Sequence, residues 1–163
     1  MLPELTGDQD IFDQVFMREA LKQARYAFEQ DEVPVGCVIT HNGQIIARAF
    51  NQVETLKDPS AHAEMIAITQ ASSALGCKWL HECTLYVTIE PCSMCAGALV
   101  LARVPRLVFG AADPKTGACG SVLNIAQDAR LNHQLNVTRG VLQDECGALI
   151  SEFFKGKRNA KKM

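Results

Sequence analysis

The chain has 163 residues, 48% hydrophobic and 21% charged, with a formal net charge of -2. Those proportions fit one globular domain over 1–163 with a real core; they exclude a disordered chain, and no apolar run approaches a membrane span. The balance gives no overall pull towards nucleic acid, although Lys155, Lys157, Arg158, Lys161 and Lys162 make a basic tail opposite acidic Glu4, Asp8, Asp10 and Asp13. Such a tail either meets phosphates or is a solvated terminus, and composition leaves both open. Seven cysteines without a charged n-region at Met1-Leu2-Pro3-Glu4 point to a reducing compartment, with free buried thiols and a cytoplasmic location.

After an irregular start, residues 12–30 are expected to form a helix with Asp10 as N-cap. Phe16, Ala20, Ala24 and Ala27 recur there at three- and four-residue steps. Residues 35–40 and 44–50 read as strands joined by His41-Asn42-Gly43, where Asn-Gly signals a hairpin. A polar loop at 51–60 leads into a helix at 61–75 stopped by Gly76. Residues 83–88 alternate and are rich in β-formers, hence a strand. A helix follows at 93–102, then a short buried strand at 106–110 and a Gly-rich loop at 111–121. A strand at 136–141 and a helix at 143–157 complete the series. This order predicts an α/β fold, a three-layer α/β/α domain with a central mixed sheet. The connections 50→83 and 88→106 each carry a helix, as parallel neighbours require.

The chemistry is concentrated in His62-Ala63-Glu64 and Pro91-Cys92-Ser93-Met94-Cys95. One neutral imidazole and two thiolates suit Zn2+ and leave its fourth tetrahedral position open for water. A structural zinc ribbon would need a second close ligand pair, which the sequence does not offer. In mid-helix His62 and Glu64 would point about 200° apart, so both face one metal only if it lies beyond the helix N-terminus. Pro59-Ser60 and Pro91 put both motifs at helix starts, whose positive ends favour thiolates and hydroxide. The predicted roles follow: His62, Cys92 and Cys95 hold zinc, and Glu64 accepts a proton from the activated water. Glu64 then delivers protons to the base under attack. H-x-E followed by P-C-x-x-C is the known signature of zinc nucleobase deaminases.

The similarity extends beyond that signature. It runs through Glu32-Val33-Pro34-Val35-Gly36, Asp58-Pro59-Ser60-Ala61-His62-Ala63-Glu64 and the stretch from Thr84 to Ala98. It continues through Val108-Phe109-Gly110-Ala111, Lys115-Thr116-Gly117-Ala118, Asn132-His133, Asp144-Glu145-Cys146 and Phe153-Phe154. On these residues the chain resembles the bacterial tRNA-specific adenosine deaminases of the cytidine deaminase-like superfamily. The resemblance implies a cytidine deaminase-like fold, one zinc per subunit, a homodimer and a tRNA anticodon stem-loop as partner. The implied reaction is hydrolysis of the wobble adenosine to inosine, with an unpaired base flipped into the zinc pocket. By position it also implies that Asn51 hydrogen-bonds the target base, that Asp113 sits near the flipped nucleotide and that Lys115 meets a phosphate. Ala112 stands where family members often carry a basic residue.

Phe153 and Phe154 face about 100° apart on the last helix, so one belongs to the core and the other, Phe154, is the candidate to stack on a loop base. His133 could line the RNA path, or serve structure alone. The zinc motifs by themselves also suit a deaminase of free bases or nucleosides such as guanine or cytosine. A zinc-bearing RNA-binding subunit without catalysis would have no use for Glu64.

Overall fold

The computed structural model describes residues 7–162. Its elements are α1 (Gly7–Glu29), β1 (Gly36–His41), β2 (Gln44–Phe50), α2 (Val53–Leu56), α3 (Ala63–Leu75), β3 (Cys83–Ile89), α4 (Ser93–Leu101), β4 (Arg106–Ala111), β5 (Asn136–Arg139) and α5 (Gln143–Lys161). The strands form one sheet in the order β2-β1-β3-β4-β5. β1 is antiparallel to both its neighbours, whereas β3, β4 and β5 run parallel. This is the expected mixed sheet of an α/β/α sandwich.

The strand period of two decides which residue meets which layer. Cys37 and Ile39, Leu85 and Val87, and Leu107 and Phe109 pack on one face in a cluster with Ala63, Ala67, Ala71, Ala96 and Leu99 from α3 and α4. The intervening Val38, Tyr86 and Val108 pack on the other face with Met17, Ala20 and Leu21 of α1 and Cys146 of α5. Central strands covered on both faces need continuous apolar runs, and β1, β3 and β4 have them. The helices facing the sheet are rich in alanine, which lets them approach closely. Gly36 takes this to its limit: a Cβ there would lie 2.0 Å from the Ala20 carbonyl oxygen of α1.

A buried polar cluster ties α1 across the parallel half of the sheet. Arg106 grips Asp13 with two bonds, Nη1 to Oδ1 at 2.7 Å and Nη2 to Oδ2 at 2.6 Å. The Tyr86 hydroxyl donates to the same carboxylate at 3.0 Å, and Arg106 also donates to the Thr138 hydroxyl. Burial and the neighbouring Asp13 charge push the Tyr86 phenol far above its ordinary value, so it stays a donor.

Several expectations need correction. The first helix begins at Gly7, so Asp10 lies in its first turn with Asp8 rather than at its N-cap, where both carboxylates favour the helix dipole. Residues 1–6 of the expected irregular start lie outside the described residues. The polar loop at 51–60 contains the one-turn helix α2, and α5 continues to Lys161, four residues past the expected end. The strands at 44–50 and 83–89 are not neighbours, because β1 lies between them. β2 is instead an edge strand, and its exposed Gln44 and Arg48 suit that position. The hairpin turn matches its signal: Asn42 and Gly43 both have positive φ, at 51° and 75°. Gly140, at φ 82°, turns the chain just after β5, so the strand stops short of Val141.

Candidate active site

The first turns of α3 and α4 meet at the C-terminal end of β3. His62 is the N-cap of α3 and Cys92 the N-cap of α4, both in extended conformation, and neither side chain caps its own helix. Both side chains are thereby free to turn towards each other. His62 Nδ1 lies 3.6 Å from Cys92 Sγ and 3.5 Å from Cys95 Sγ. All three ligand atoms fall within 4.8 Å of one another. A tetrahedral zinc with bonds of about 2.0 Å to nitrogen and 2.3 Å to sulfur spaces those atoms by about 3.6 Å. The donor set and both nitrogen–sulfur distances therefore fit a zinc ion.

The two thiols and the imidazole are close enough to perturb one another strongly. A hydrogen bond from Cys95, helped by His62, brings Cys92 down to about 4 against the opposing effect of burial. Cys95 is pushed far up by its bond to the Cys92 sulfur, by burial and by the Glu64 carboxylate. The bond to Cys92 outweighs burial and raises His62. A dication held between them would remove the conflict, since it would stabilise both sulfurs as thiolates. Glu64 is the second residue of α3 and is 3% exposed. Burial raises its carboxyl, opposed by its own backbone N–H, the Cys95 side chain and His62.

These groups open into a cavity of about 310 Å³ lined by Asn51, His62, Glu64, Cys92, Asp113 and Phe154, among others. Asn51 is buried; its Nδ2 donates to the Val33 carbonyl at 3.4 Å, and its Oδ1 has no partner among the described residues. Asp113 spends its carboxylate on its own turn, accepting from the Lys115 and Thr116 N–H groups and the Thr116 hydroxyl. Lys115 is exposed on that turn and does not line the cavity. Phe153 is buried edge-on against Phe28, while Phe154 is 42% exposed at the cavity mouth. His133 is not brought to the cavity. Its Nε2 contacts the Val104 carbonyl at 2.7 Å, just before β4 and at the opposite end of the sheet.

Two buried carboxylates at the cavity received no role from sequence alone. Glu32 is fully buried and accepts the N–H groups of Glu54 and Thr55 at 2.9 and 2.8 Å, capping α2 beyond Asn51. Glu90 accepts the N–H groups of Asp113, Cys119 and Ser121 and the Ser121 hydroxyl. In both, burial opposes the charge, but the donors outweigh it and hold the carboxyl below its ordinary value. The signal available in sequence was a lone acid embedded in apolar residues, as in Val87-Thr88-Ile89-Glu90-Pro91.

Comparison with known proteins agrees with this geometry. Residues 10–111 match the family described as the cytidine and deoxycytidylate deaminase zinc-binding region. The chain is 53% identical over 150 residues to the tRNA-specific adenosine deaminase of Bacillus subtilis (strain 168), covering 92% of this chain and 93% of that protein. It is 50% identical over 144 residues to the tRNA-specific adenosine deaminase of Aquifex aeolicus (strain VF5), covering 88% and 95%. A structure from a study of A-to-I editing by tRNA:A34 deaminases at the wobble position of transfer RNA aligns with TM-score 0.80 and 43% identity, covering 83% of this chain and 98% of that one. A guanine deaminase from Nitrosomonas europaea aligns with TM-score 0.75 at 26% identity, covering 86% and 83%. The chain belongs to the tRNA-specific adenosine deaminases, within the cytidine and deoxycytidylate deaminase zinc-binding family.

Proposed function

We propose that this protein is a zinc-dependent hydrolase that converts adenosine to inosine at the wobble position of a tRNA anticodon. The observation that carries the chemistry is Glu64, a buried acid lining one cavity with His62 and Cys92, whose ligand atoms cluster with that of the buried Cys95. His62, Cys92 and Cys95 would hold zinc, which would lower the pKa of the attacking water. Glu64 accepts a proton from the attacking water and passes it to the ring nitrogen beside the carbon under attack. It carries a second proton to the departing amine, the carbon–nitrogen bond breaks, and ammonia leaves. The oxygen of the water ends as the carbonyl of inosine.

Asn51 offers its unpartnered Oδ1 to a donor on the bound nucleotide. Phe154 supplies an aromatic face at the cavity mouth for an unpaired base, and Lys115 a cation for a phosphate farther out. Asp113 flanks the nucleotide through the shape of its turn, because its carboxylate is already engaged. A homodimer and a cytoplasmic location belong to the same proposal and rest on the family resemblance. No helix among the described residues is long and apolar enough to cross a membrane.

The test is turnover by zinc-loaded protein on an anticodon stem-loop beginning with adenosine, set beside free adenosine, guanine and cytosine. Inosine formed in the RNA alone is the expected result. Deamination of a free base alone would transfer the reaction to the smaller substrates, in line with the guanine deaminase neighbour.

A further inference from the structure

The donors gathered on Glu90 all come from the loop that follows β4. Oε1 accepts the Asp113 N–H at 3.1 Å and the Ser121 hydroxyl; Oε2 accepts the Cys119 and Ser121 N–H groups at 3.0 and 3.1 Å. Glu90 is 2% exposed, and among the described residues no basic side chain forms an ion pair with it. A carboxylate buried without a cation is costly unless main-chain donors replace its water, and here three of them do. The carboxylate therefore acts as a template for the path of the loop. Gly117 shows how closely the loop wraps it, since a Cβ there would lie 2.3 Å from Oε2.

The main chain completes the attachment. The Glu90 N–H donates to the Ala111 carbonyl and the Ala118 N–H to the Pro91 carbonyl, both at 2.8 Å. The segment that delivers Cys92 and the loop that presents Asp113 and Thr116 to the cavity are thus one hydrogen-bonded unit. Within it, the Asp113 carboxylate shapes the tip carrying Lys115, and Glu90 fixes the two ends.

We propose that Glu90 is a positioning residue: it holds loop 112–121 as the substrate-side wall of the cavity, and so governs substrate affinity rather than metal binding or the proton transfers. The role of the loop in meeting RNA rests on the proposed function above. Glu90→Gln tests it, because the amide keeps the shape but offers one acceptor oxygen where the loop needs two. Either orientation of the amide leaves at least one loop N–H facing another donor.

Three quantities are measured: zinc per chain, hydrogen exchange at the Asp113, Cys119 and Ser121 amides, and KM and kcat on the wobble-adenosine stem-loop. Glu90→Gln should keep one zinc per chain and exchange those amides faster. Its KM should rise roughly tenfold or more, with kcat within about threefold of the parent. Ser121→Ala, which removes only the hydroxyl bond, should shift KM the same way by a smaller factor. Faster loop exchange with unchanged KM would overturn the proposal, as would a fall in kcat at constant KM. Loss of zinc from a folded Glu90→Gln protein would overturn it as well; should that variant fail to fold, Ser121→Ala decides, and zinc retained with KM unchanged overturns it. If the parent protein deaminates only a free base, the tRNA assignment fails, and the same KM and kcat split on that base still judges Glu90.

Discussion

Asn51→Ala separates a residue kept for substrate from one kept for the fold. In the free protein Asn51 is a poor contributor to stability. Among the described residues its Oδ1 is buried without a partner, and its only side-chain hydrogen bond, to Val33, is long at 3.4 Å. A buried unmade acceptor costs about 1–3 kcal/mol, while a weak neutral hydrogen bond returns about 0.5–1 kcal/mol. Removing both leaves a net gain of about 0–2.5 kcal/mol, a rise in Tm of about 0–10 °C for a chain of this size. In the complex the balance reverses, because the same oxygen then accepts from the nucleotide. Its loss should lower kcat/KM by about 5- to 150-fold, the equivalent of about 1–3 kcal/mol. Thermal unfolding of the zinc-loaded protein and steady-state kinetics on the stem-loop measure the two effects. A Tm lowered by more than about 4 °C with kcat/KM within about twofold would refute the reasoning and make Asn51 a structural residue.

Asp13→Ala should destabilise by about 3–5 kcal/mol, because it leaves the Arg106 guanidinium buried without its carboxylate. Urea unfolding would show this, and replacing Asp13 and Arg106 together by Leu and Met should recover most of the loss. Chelation of zinc should lower Tm and expose Cys92 to a thiol reagent, whereas in the loaded protein only Cys77, the exposed cysteine, should react fast; equal labelling in both forms would argue against these metal ligands. Lys115→Ala should weaken RNA binding and flatten its salt dependence by about one unit in log–log slope, at unchanged zinc content. A binding series over salt concentration measures that slope.

The layers and the metal donors were legible in the sequence for one reason: each depends on short-range pattern. Short runs rich in apolar β-formers mark β1, β3 and β4 as strands, and the fixed geometry of a helix start places His62 and Cys92 where a metal can be shared. What was hidden depends on partners distant in sequence. The insertion of β1 between β2 and β3 is a long-range pairing that local signals do not carry. The roles of Glu32 and Glu90 come from main-chain donors 22 to 31 residues away. Asp113 has the reverse history. Placed beside the nucleotide by resemblance, it proves to be bound up in its own turn, through contacts only two and three residues away.

The central claim is that Glu64 moves the protons of the reaction without holding the metal. Its most direct test is inosine formation in the stem-loop by parent and Glu64→Ala proteins of equal zinc content, each measured by mass spectrometry. Full zinc occupancy in both proteins and no inosine from the variant are expected. Turnover by Glu64→Ala, or loss of its zinc, would contradict it.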